Sequence, residues 1–213
     1  MKKGDVKVHN PPNIGWLQYR LNSQEMDYVW RCIDNKKERY NKQLAGIIDS
    51  SYRLHDTGDW FYRTVVTPLL DMYAEEFHNI GTRILYHTQS HPYHMNTWWV
   101  NYQRENEFNP LHNHSGVYSF VIWMKIPVDC REQNKIRISR QANSHNKISV
   151  FEFSYQDILG TPSQFQYNLI PEDEGTMVLF PAALYHQVYP FYNCDKERIS
   201  VSGNIYINTA KHA

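Results

Sequence analysis

The stretch FNPLHNHSGVYSFVIWMKIP, residues 108–127, decides the fold class. It begins with His112 and His114 and continues into a run dominated by aromatic and β-branched residues, which is typical of a buried strand. Side chains at i and i+2 of an extended chain point to the same side. Neutral imidazoles held side by side are good ligands for iron, copper, nickel or zinc. The pair therefore suits one half of a metal site at the start of a strand.

The pair alone does not establish that site. In a chain of 213 residues with 11 histidines, roughly 0.6 pairs at this spacing are expected by chance. Two polar side chains near a strand end would produce the same pattern. A metal site requires a further ligand elsewhere in the chain, and a reason for that ligand to be there.

Strand patterns continue on both sides of the opening stretch. Segments rich in Val, Ile and aromatic residues, bounded by turn residues, fill most of the chain after residue 82. They are TRILYHTQ (82–89), NTWWVNYQ (96–103), VYSFVIWMKI (117–126), KISVFEF (147–153), GTMVLFP (175–181), ALYHQVYP (183–190) and RISVSGNIYIN (198–208).

Helical patterns precede the strands. Ser23 is expected to cap a helix that runs to about Gln43, and a second helix is expected from about Thr67 to Ile80, ended by Gly81. Helices first and strands afterwards predict an α+β, mainly β protein, with the helices buttressing an antiparallel sandwich or barrel. We expect one domain over residues 1–213, with an N-terminal arm and helices in 1–81 and the strand-rich core in 82–213.

Composition narrows the class of protein. The chain has 22 basic and 22 acidic residues, so its zero net charge argues against nucleic acid or an anionic membrane as a partner. The three cysteines are far apart, which predicts no disulfide framework and favours a reducing compartment. No apolar run approaches the length of a membrane span. These features predict a cytoplasmic protein, and leave open whether it is a monomer or a homodimer.

A third histidine and an arginine lie near the end of the chain. The strand GTMVLFP leads into a short turn and then His186, and Arg198 opens the last strand twelve residues later. That strand alternates strictly. Its polar face carries Arg198, Ser200, Ser202 and Asn204, and its apolar face carries Ile199, Val201, Gly203, Ile205 and Ile207.

An arginine on such an apolar strand needs a partner or a cavity, because an unpaired guanidinium beside a core is costly. One explanation is a salt bridge with Glu172, Asp173 or Glu174. The other is that its guanidinium faces a cavity.

Together these residues resemble the iron(II)- and 2-oxoglutarate-dependent oxygenase superfamily, which has a double-stranded β-helix (jelly-roll) core. In that superfamily an HxD/E pair and a distant His hold iron. An Arg ten or more residues after that His, often followed by Ser as RxS, binds the far carboxylate of 2-oxoglutarate. The resemblance covers roughly residues 96–208. Within the superfamily, the chain most resembles a prolyl-hydroxylase-related branch found in bacteria and large tailed phages.

The resemblance implies a site for two cofactors. Fe(II) is expected on His112, His114 and His186, and the cosubstrate 2-oxoglutarate on Arg198 with Ser200. The implied cosubstrate set is completed by Asn101 or Tyr102 on the strand NTWWVNYQ, and by Asn204.

The chain departs from the superfamily pattern at His114, where most members have Asp or Glu. Three neutral imidazoles leave Fe(II) with its full double positive charge, but they still leave open positions for a 2-oxo acid and O₂. A second alignment pairs His114 with Gly116, whose small size would admit chloride as in halogenating relatives. That alignment leaves His112 without a role.

The activity implied is that of a 2-oxoglutarate-dependent dioxygenase, which uses O₂ to hydroxylate a substrate and releases CO₂ and succinate. The substrate stays open among a prolyl or other peptide side chain, a free amino acid, a nucleobase and a small metabolite. Two alternatives are a jelly-roll binding or structural module without turnover and a three-His iron dioxygenase that does not use 2-oxoglutarate. Arg198 with Ser200 favours the 2-oxoglutarate enzyme, because the last alternative needs no clamp for a distant carboxylate.

Overall fold

The computed structural model describes residues 14–77, 93–141 and 147–208, and within these ranges it is mainly β. The strands are β1 Leu17–Arg20, β2 Ser50–Arg53, β3 Tyr93–Gln103, β4 Asn109–His112, β5 Tyr118–Lys125, β6 Val150–Gln156, β7 Pro162–Asn168, β8 Thr176–Pro181, β9 Tyr185–Val188 and β10 Arg198–Ile207. They form a six-stranded sheet in the order β1-β8-β5-β10-β3-β2 and a four-stranded sheet in the order β4-β9-β6-β7. All pairings are antiparallel. The predicted α+β, mainly β architecture with a jelly-roll core is confirmed.

The helices lie mostly before the core strands. They are α1 Ser23–Asp34, α2 Thr67–Phe77, which follows a π-helical turn at Tyr62–Val66, and the single turn α3 Cys130–Gln133. Among the described residues, no helix is long and apolar enough to cross a membrane.

Two hydrophobic cores lie on opposite faces of the six-stranded sheet. On one face, α1, α2 and the turn before α2 pack through residues such as Val29, Phe61 and Tyr73. On the other face, Trp123 and Val178 pack against Phe153 of the four-stranded sheet. The site described below lies between the two sheets, and the helices support it from behind the larger one.

Helix α1 differs from its prediction at both ends. The capping residue is Asn22 rather than Ser23, because the Asn22 side chain accepts a hydrogen bond from the Glu25 N–H at 3.0 Å and Glu25 accepts one from the Asn22 N–H at 2.9 Å. The helix ends at Asp34 and does not reach Gln43. The segment 35–39 is exposed and polar, so it offers no apolar side chain to bury in a further turn.

The chain after α1 turns back instead and forms β2, which pairs with β3. Strand β1 likewise pairs with β8. Two strands from the predicted arm-and-helix region therefore belong to the main sheet. Helix α2 begins at Thr67 as predicted. Its predicted end at Ile80 and Gly81, the predicted strand 82–89 and residues 1–13 of the arm lie outside the described residues.

Strand β10 shows the predicted alternation. Val201 and Ile205 are buried in the core on the helix side, whereas Arg198, Ser200 and Ser202 line a cavity between the sheets. The polar face of this strand thus points into the interior of the jelly roll.

Candidate metal centre

Three histidines meet where β4 and β9 pair. His112 is the last residue of β4 and lies directly opposite His186 of β9, and His114 follows two residues later. The ring centroids are 4.3 Å apart for His112 and His186, 4.9 Å for His114 and His186, and 5.0 Å for His112 and His114. One nitrogen from each ring can be chosen so that all three lie within 4.8 Å of one another. A single metal ion can bridge nitrogens at this separation.

Backbone carbonyls orient two of the rings. The Nδ1 atom of His112 lies 2.7 Å from the Pro110 carbonyl oxygen, and the Nδ1 atom of His186 lies 3.0 Å from that of Leu184. A carbonyl oxygen only accepts hydrogen bonds, so both Nδ1 atoms carry the proton and both Nε2 atoms present a lone pair. The Nε2 atom of His114 lies 3.1 Å from that of His186. This arrangement suits a shared cation, and such bonds to Nδ1 are the usual support of metal-binding histidines.

The surroundings keep the three imidazoles neutral. His186 is 4% exposed, with the rings of Phe180 and Phe151 at 5.0 and 5.6 Å. Burial lowers the pKa of His112, and it lowers the pKa of His186 well below its usual value. Burial, followed by the neighbouring His112, lowers the pKa of His114 to about 3. At neutral pH the rings therefore need no deprotonation before they bind a metal.

A buried arginine lies in the same cavity. Arg198 is 2% exposed, its Nη1 donates to Gln103 Oε1 at 3.2 Å, and its Nη2 donates to the Ser149 hydroxyl. Its guanidinium carbon lies 5.1 Å from the centroid of the Phe191 ring. Burial lowers its pKa to about 10, which still leaves it charged at neutral pH.

No carboxylate among the described residues forms an ion pair with Arg198. Its Nε–H is buried without an acceptor. The acidic residues 172–174 are engaged elsewhere: Glu172 pairs with Arg131, while Asp173 and Glu174 accept backbone hydrogen bonds. The salt-bridge explanation of Arg198 is therefore excluded for these three, and the guanidinium fits an anionic ligand.

The histidines and Arg198 line one cavity between the sheets. Ser200, Ser202 and Asn101 contribute to its wall, and Asn101 accepts a hydrogen bond from the Ser51 hydroxyl at 2.7 Å. The other lining residues are Asn41, Leu44, Ala45, Gly46, Ile48, Ser51, Trp99, Gln103, Asn109, Phe120, Val121, Trp123, Phe151, Phe180 and Val188.

Two predicted cosubstrate residues lie away from this cavity. Tyr102 follows Asn101 on β3 and therefore points to the opposite face, where its ring contacts Tyr52 and Lys36. Asn204 accepts a hydrogen bond from Ser119 at 2.8 Å. It is six residues beyond Arg198 on β10, which corresponds to about 20 Å along a strand. Neither residue is placed to contact a ligand of Arg198.

Gly116 has a backbone role. Its φ is +105°, and a Cβ there would lie 2.7 Å from the Ile205 carbonyl oxygen. Gly116 is not one of the described residues that line the cavity. The close approach of the two backbones accounts for glycine at this position.

Several residues in the cavity wall or behind it were not predicted from the sequence. Gln103 shares the face of Asn101 on β3, so strand parity could have found it. Part of the segment 41–48 lines the cavity, whereas the sequence predicted a helix to about Gln43 and no cavity role for the residues that follow it. Ser149 reaches Arg198 from a backbone with φ of +61°, which no sequence pattern indicates.

Comparison with known proteins identifies a family and a shared fold. A family model of 2OG-Fe(II) oxygenases matches residues 97–204. A search of curated proteins found no match.

Solved structures share the fold at low sequence identity. An oxidoreductase of the 2OG-Fe(II) oxygenase family from Burkholderia pseudomallei has a TM-score of 0.53 and 11% identity, with 94% of this chain and 95% of that chain covered. A prolyl-4-hydroxylase from Pseudomonas putida has a TM-score of 0.50 and 12% identity over 91% and 93% of the two chains. A prolyl hydroxylase from Trichoplax adhaerens, in complex with a hypoxia inducible factor peptide fragment, has a TM-score of 0.51 and 9% identity over 91% and 83%.

Proposed function

The chain belongs to the 2OG-Fe(II) oxygenase family, and on that premise we propose that it hydroxylates an uncharged, peptide-like group at the metal centre between its two sheets. One observation carries the proposal. Three neutral imidazoles and a buried guanidinium without a carboxylate partner share one cavity. The first set suits Fe(II), and the second suits the far carboxylate of 2-oxoglutarate.

His112, His114 and His186 would hold the metal. The free Nε2 lone pairs of His112 and His186 and the short Nε2–Nε2 distance from His114 support this ligand set. When bound, Fe(II) with 2-oxoglutarate supplies the oxidising power for C–H hydroxylation by O₂, with release of CO₂ and succinate. Three neutral ligands leave the metal's charge uncompensated, so a dianionic cosubstrate is favoured electrostatically.

Arg198 would bind the cosubstrate's far carboxylate, helped by the Ser200 hydroxyl on the same strand face. A planar guanidinium matches a carboxylate with two parallel hydrogen bonds and keeps its charge when buried. Because Arg198 is buried, its attraction for a carboxylate is screened less by water than it would be at the surface.

The cavity wall indicates the substrate class. Among the described residues that line it, Arg198 is the one side chain with a charge at neutral pH. Asn109 also lines it, and its Oδ1 is buried without a hydrogen-bond partner. A carboxamide oxygen without a partner matches an amide N–H, whereas an amino acid's ammonium would find no carboxylate, and a nucleotide's phosphate would have to compete with the cosubstrate for Arg198. A prolyl or other peptide side chain therefore fits best.

The metal and cosubstrate are tested together. The protein is loaded with Fe(II) without oxygen and its metal content is measured. Air is then admitted, and the conversion of 2-oxoglutarate to succinate is measured. We expect one iron per chain and succinate formation in wild type, loss of iron in His112→Ala, and retained iron without succinate in Arg198→Ala. Arg104→Ala is the control, because Arg104 is an exposed arginine paired with Glu197.

Other outcomes would contradict the proposal in different ways. Unchanged succinate formation in Arg198→Ala would place the carboxylate clamp elsewhere. Oxygen uptake that does not depend on 2-oxoglutarate would indicate a three-His dioxygenase, and iron binding without any turnover would indicate a binding module.

The substrate class is tested with an end-capped prolyl peptide and free L-proline as probes. We expect the capped peptide, and not the free amino acid, to stimulate succinate formation. Equal stimulation by the charged amino acid would contradict an uncharged substrate.

We also propose that the enzyme works in the reducing cytoplasm. Cys32, Cys130 and Cys194 are all unpaired in the structure, and a reducing compartment keeps iron in the Fe(II) state. Thiol titration of protein purified without reductant should find three free thiols per chain.

A further inference from the structure

Two neutral side chains hold Arg198 in place. Gln103 lies directly opposite Arg198 in the β3–β10 pairing. Its Nε2 donates to the Glu107 carbonyl oxygen at 2.6 Å, and this bond turns its Oε1 towards Arg198 Nη1 at 3.2 Å. The amide is 3% exposed and cannot flip without losing both bonds.

Ser149 holds the other terminal nitrogen. It is fully buried, and its hydroxyl accepts a hydrogen bond from Arg198 Nη2. Its N–H donates to the Pro190 carbonyl oxygen at 2.8 Å, and its φ is +61°, in the left-handed region that serine rarely adopts. Ser149 is not among the residues that line the cavity, so it reaches the guanidinium from behind. An unfavourable backbone that delivers a buried hydroxyl to a buried charge points to a function.

We propose that Ser149 and Gln103 are the positioning residues that make Arg198 selective for a five-carbon 2-oxo diacid. The inference rests on the proposed function, since it assumes that Arg198 binds the cosubstrate. Both residues are uncharged acceptors, so they orient the guanidinium without neutralising it. A carboxylate in either place would hold Arg198 equally well but would occupy the charge that the ligand needs.

The selectivity follows from this immobility. An arginine side chain has many rotamers. A mobile arginine could therefore change its position to bind shorter or longer diacids. Here two hydrogen bonds and the ring of Phe191, 5.1 Å away, fix its distance from the histidine cluster. A diacid that chelates the metal at one end then reaches the guanidinium with its other end only if its length is right.

Calorimetric titration of Fe(II)-loaded protein without oxygen tests the role of Ser149. The ligands are 2-oxoglutarate, the four-carbon oxaloacetate and the six-carbon 2-oxoadipate. We expect Ser149→Ala and Ser149→Gly each to weaken 2-oxoglutarate binding by about tenfold and to reduce its preference over the other two acids. Ser163→Ala, on the edge strand β7, is the control and should change neither quantity.

The two Ser149 variants separate the hydroxyl from the backbone. Glycine adopts a positive φ without strain, so Ser149→Gly should unfold at a higher temperature than Ser149→Ala. Because both lack the hydroxyl, their loss of 2-oxoglutarate affinity should be equal. If affinity followed unfolding temperature, Ser149 would be merely structural, and the inference would be overturned.

Gln103→Glu tests whether the neutrality of these partners matters. We expect iron to remain bound and 2-oxoglutarate affinity to fall more than in either Ser149 variant, because an internal carboxylate would pair with Arg198. If all three variants kept the wild-type affinity for 2-oxoglutarate, or the wild-type preference for it over the shorter and longer acids, the inference would be overturned. The proposed function would not be affected. Failure of the iron-loaded wild type to bind 2-oxoglutarate would overturn the proposed function as well, so the two failures are distinguishable.

Discussion

His114 is the single residue whose chemistry matters most for the proposed centre. In the proposed centre it would take the ligand position that is usually a carboxylate in the enzymes that the sequence resembles. Burial, followed by the neighbouring His112, lowers its pKa to about 3 and so favours the neutral ring. An aspartate at this position would be shorter and would lower the net charge at the metal by one unit. Both side chains offer a donor atom, whereas alanine offers none.

We therefore predict that His114→Asp retains iron and that His114→Ala loses much of its iron affinity. Equilibrium iron titration of both variants, with and without chloride, measures this. Recovery of iron binding in His114→Ala by chloride would indicate that an anion can fill the vacated position. Equal affinity in both variants and wild type would exclude His114 as a ligand.

At the scale of single elements, the N-terminal cap of α1 can be tested by its effect on stability. Asn22 and Glu25 exchange side-chain-to-backbone hydrogen bonds of 3.0 and 2.9 Å, whereas the exposed Ser23 is the first residue of the helix. We predict that Asn22→Ala lowers the free energy of unfolding by about 1 kcal/mol. Ser23→Ala is the matched control, with almost no expected effect in urea unfolding. A larger loss in Ser23→Ala would show that the cap lies there after all.

The four-stranded sheet carries a buried charge on its outer face. Glu152 of β6 is fully buried and accepts hydrogen bonds from Gln166 of β7 and Gln187 of β9, each at 2.6 Å, as well as from Lys147. Burial raises the pKa of this carboxyl, but the bonds from Lys147 and the two glutamines outweigh it and hold the pKa below its usual value.

This lowered pKa predicts an acid-dependent loss of stability. The unfolded carboxyl binds its proton near pH 4.5, whereas the folded one binds it only at lower pH. The contribution of the ionised Glu152 carboxylate to the free energy of unfolding is therefore complete above that pH and is lost as the pH falls below it. Urea unfolding between pH 7 and about pH 3 should show a steeper decline in wild type than in Glu152→Gln. Glu75→Gln, at an exposed position on α2, should decline like wild type.

At the scale of the whole molecule, the unpaired Arg198 links ligand binding to folding. A buried guanidinium without a counter-ion costs free energy, and an anion that enters the cavity removes that cost. We predict that 2-oxoglutarate raises the Tm of iron-loaded protein, with a gain of about 2.7 kcal/mol at a concentration of 100 times its Kd. Differential scanning calorimetry without oxygen measures this.

Two comparisons accompany that measurement. Succinate has the distant carboxylate but lacks the 2-oxo group, so it should stabilise wild type less than 2-oxoglutarate does. Arg198→Ala should show little stabilisation by either acid. Equal stabilisation of this variant and wild type by 2-oxoglutarate would mean that the acid binds elsewhere.

The sequence by itself determined the architecture and the main side chains of the site. The period-two alternation of β10 predicts that Arg198 and Ser200 face away from Val201, because the pleat of a strand forces neighbours to opposite sides. The predicted strands among the described residues all form, and the three histidines meet. Strand periodicity and the spacing of the histidines are patterns in the sequence, and the tertiary structure agrees with both.

Only the tertiary structure decided the rest, because it depends on what packs beside each residue. The four-residue strands β1 and β2 are too short to show a period, and they exist because β8 and β3 offer them edges. Strand parity allowed either Asn101 or Tyr102 to face the cavity, and the pairing of β3 with β10 selects Asn101. Ser149 reaches Arg198 only through a left-handed backbone, which is retained because surrounding contacts hold it there.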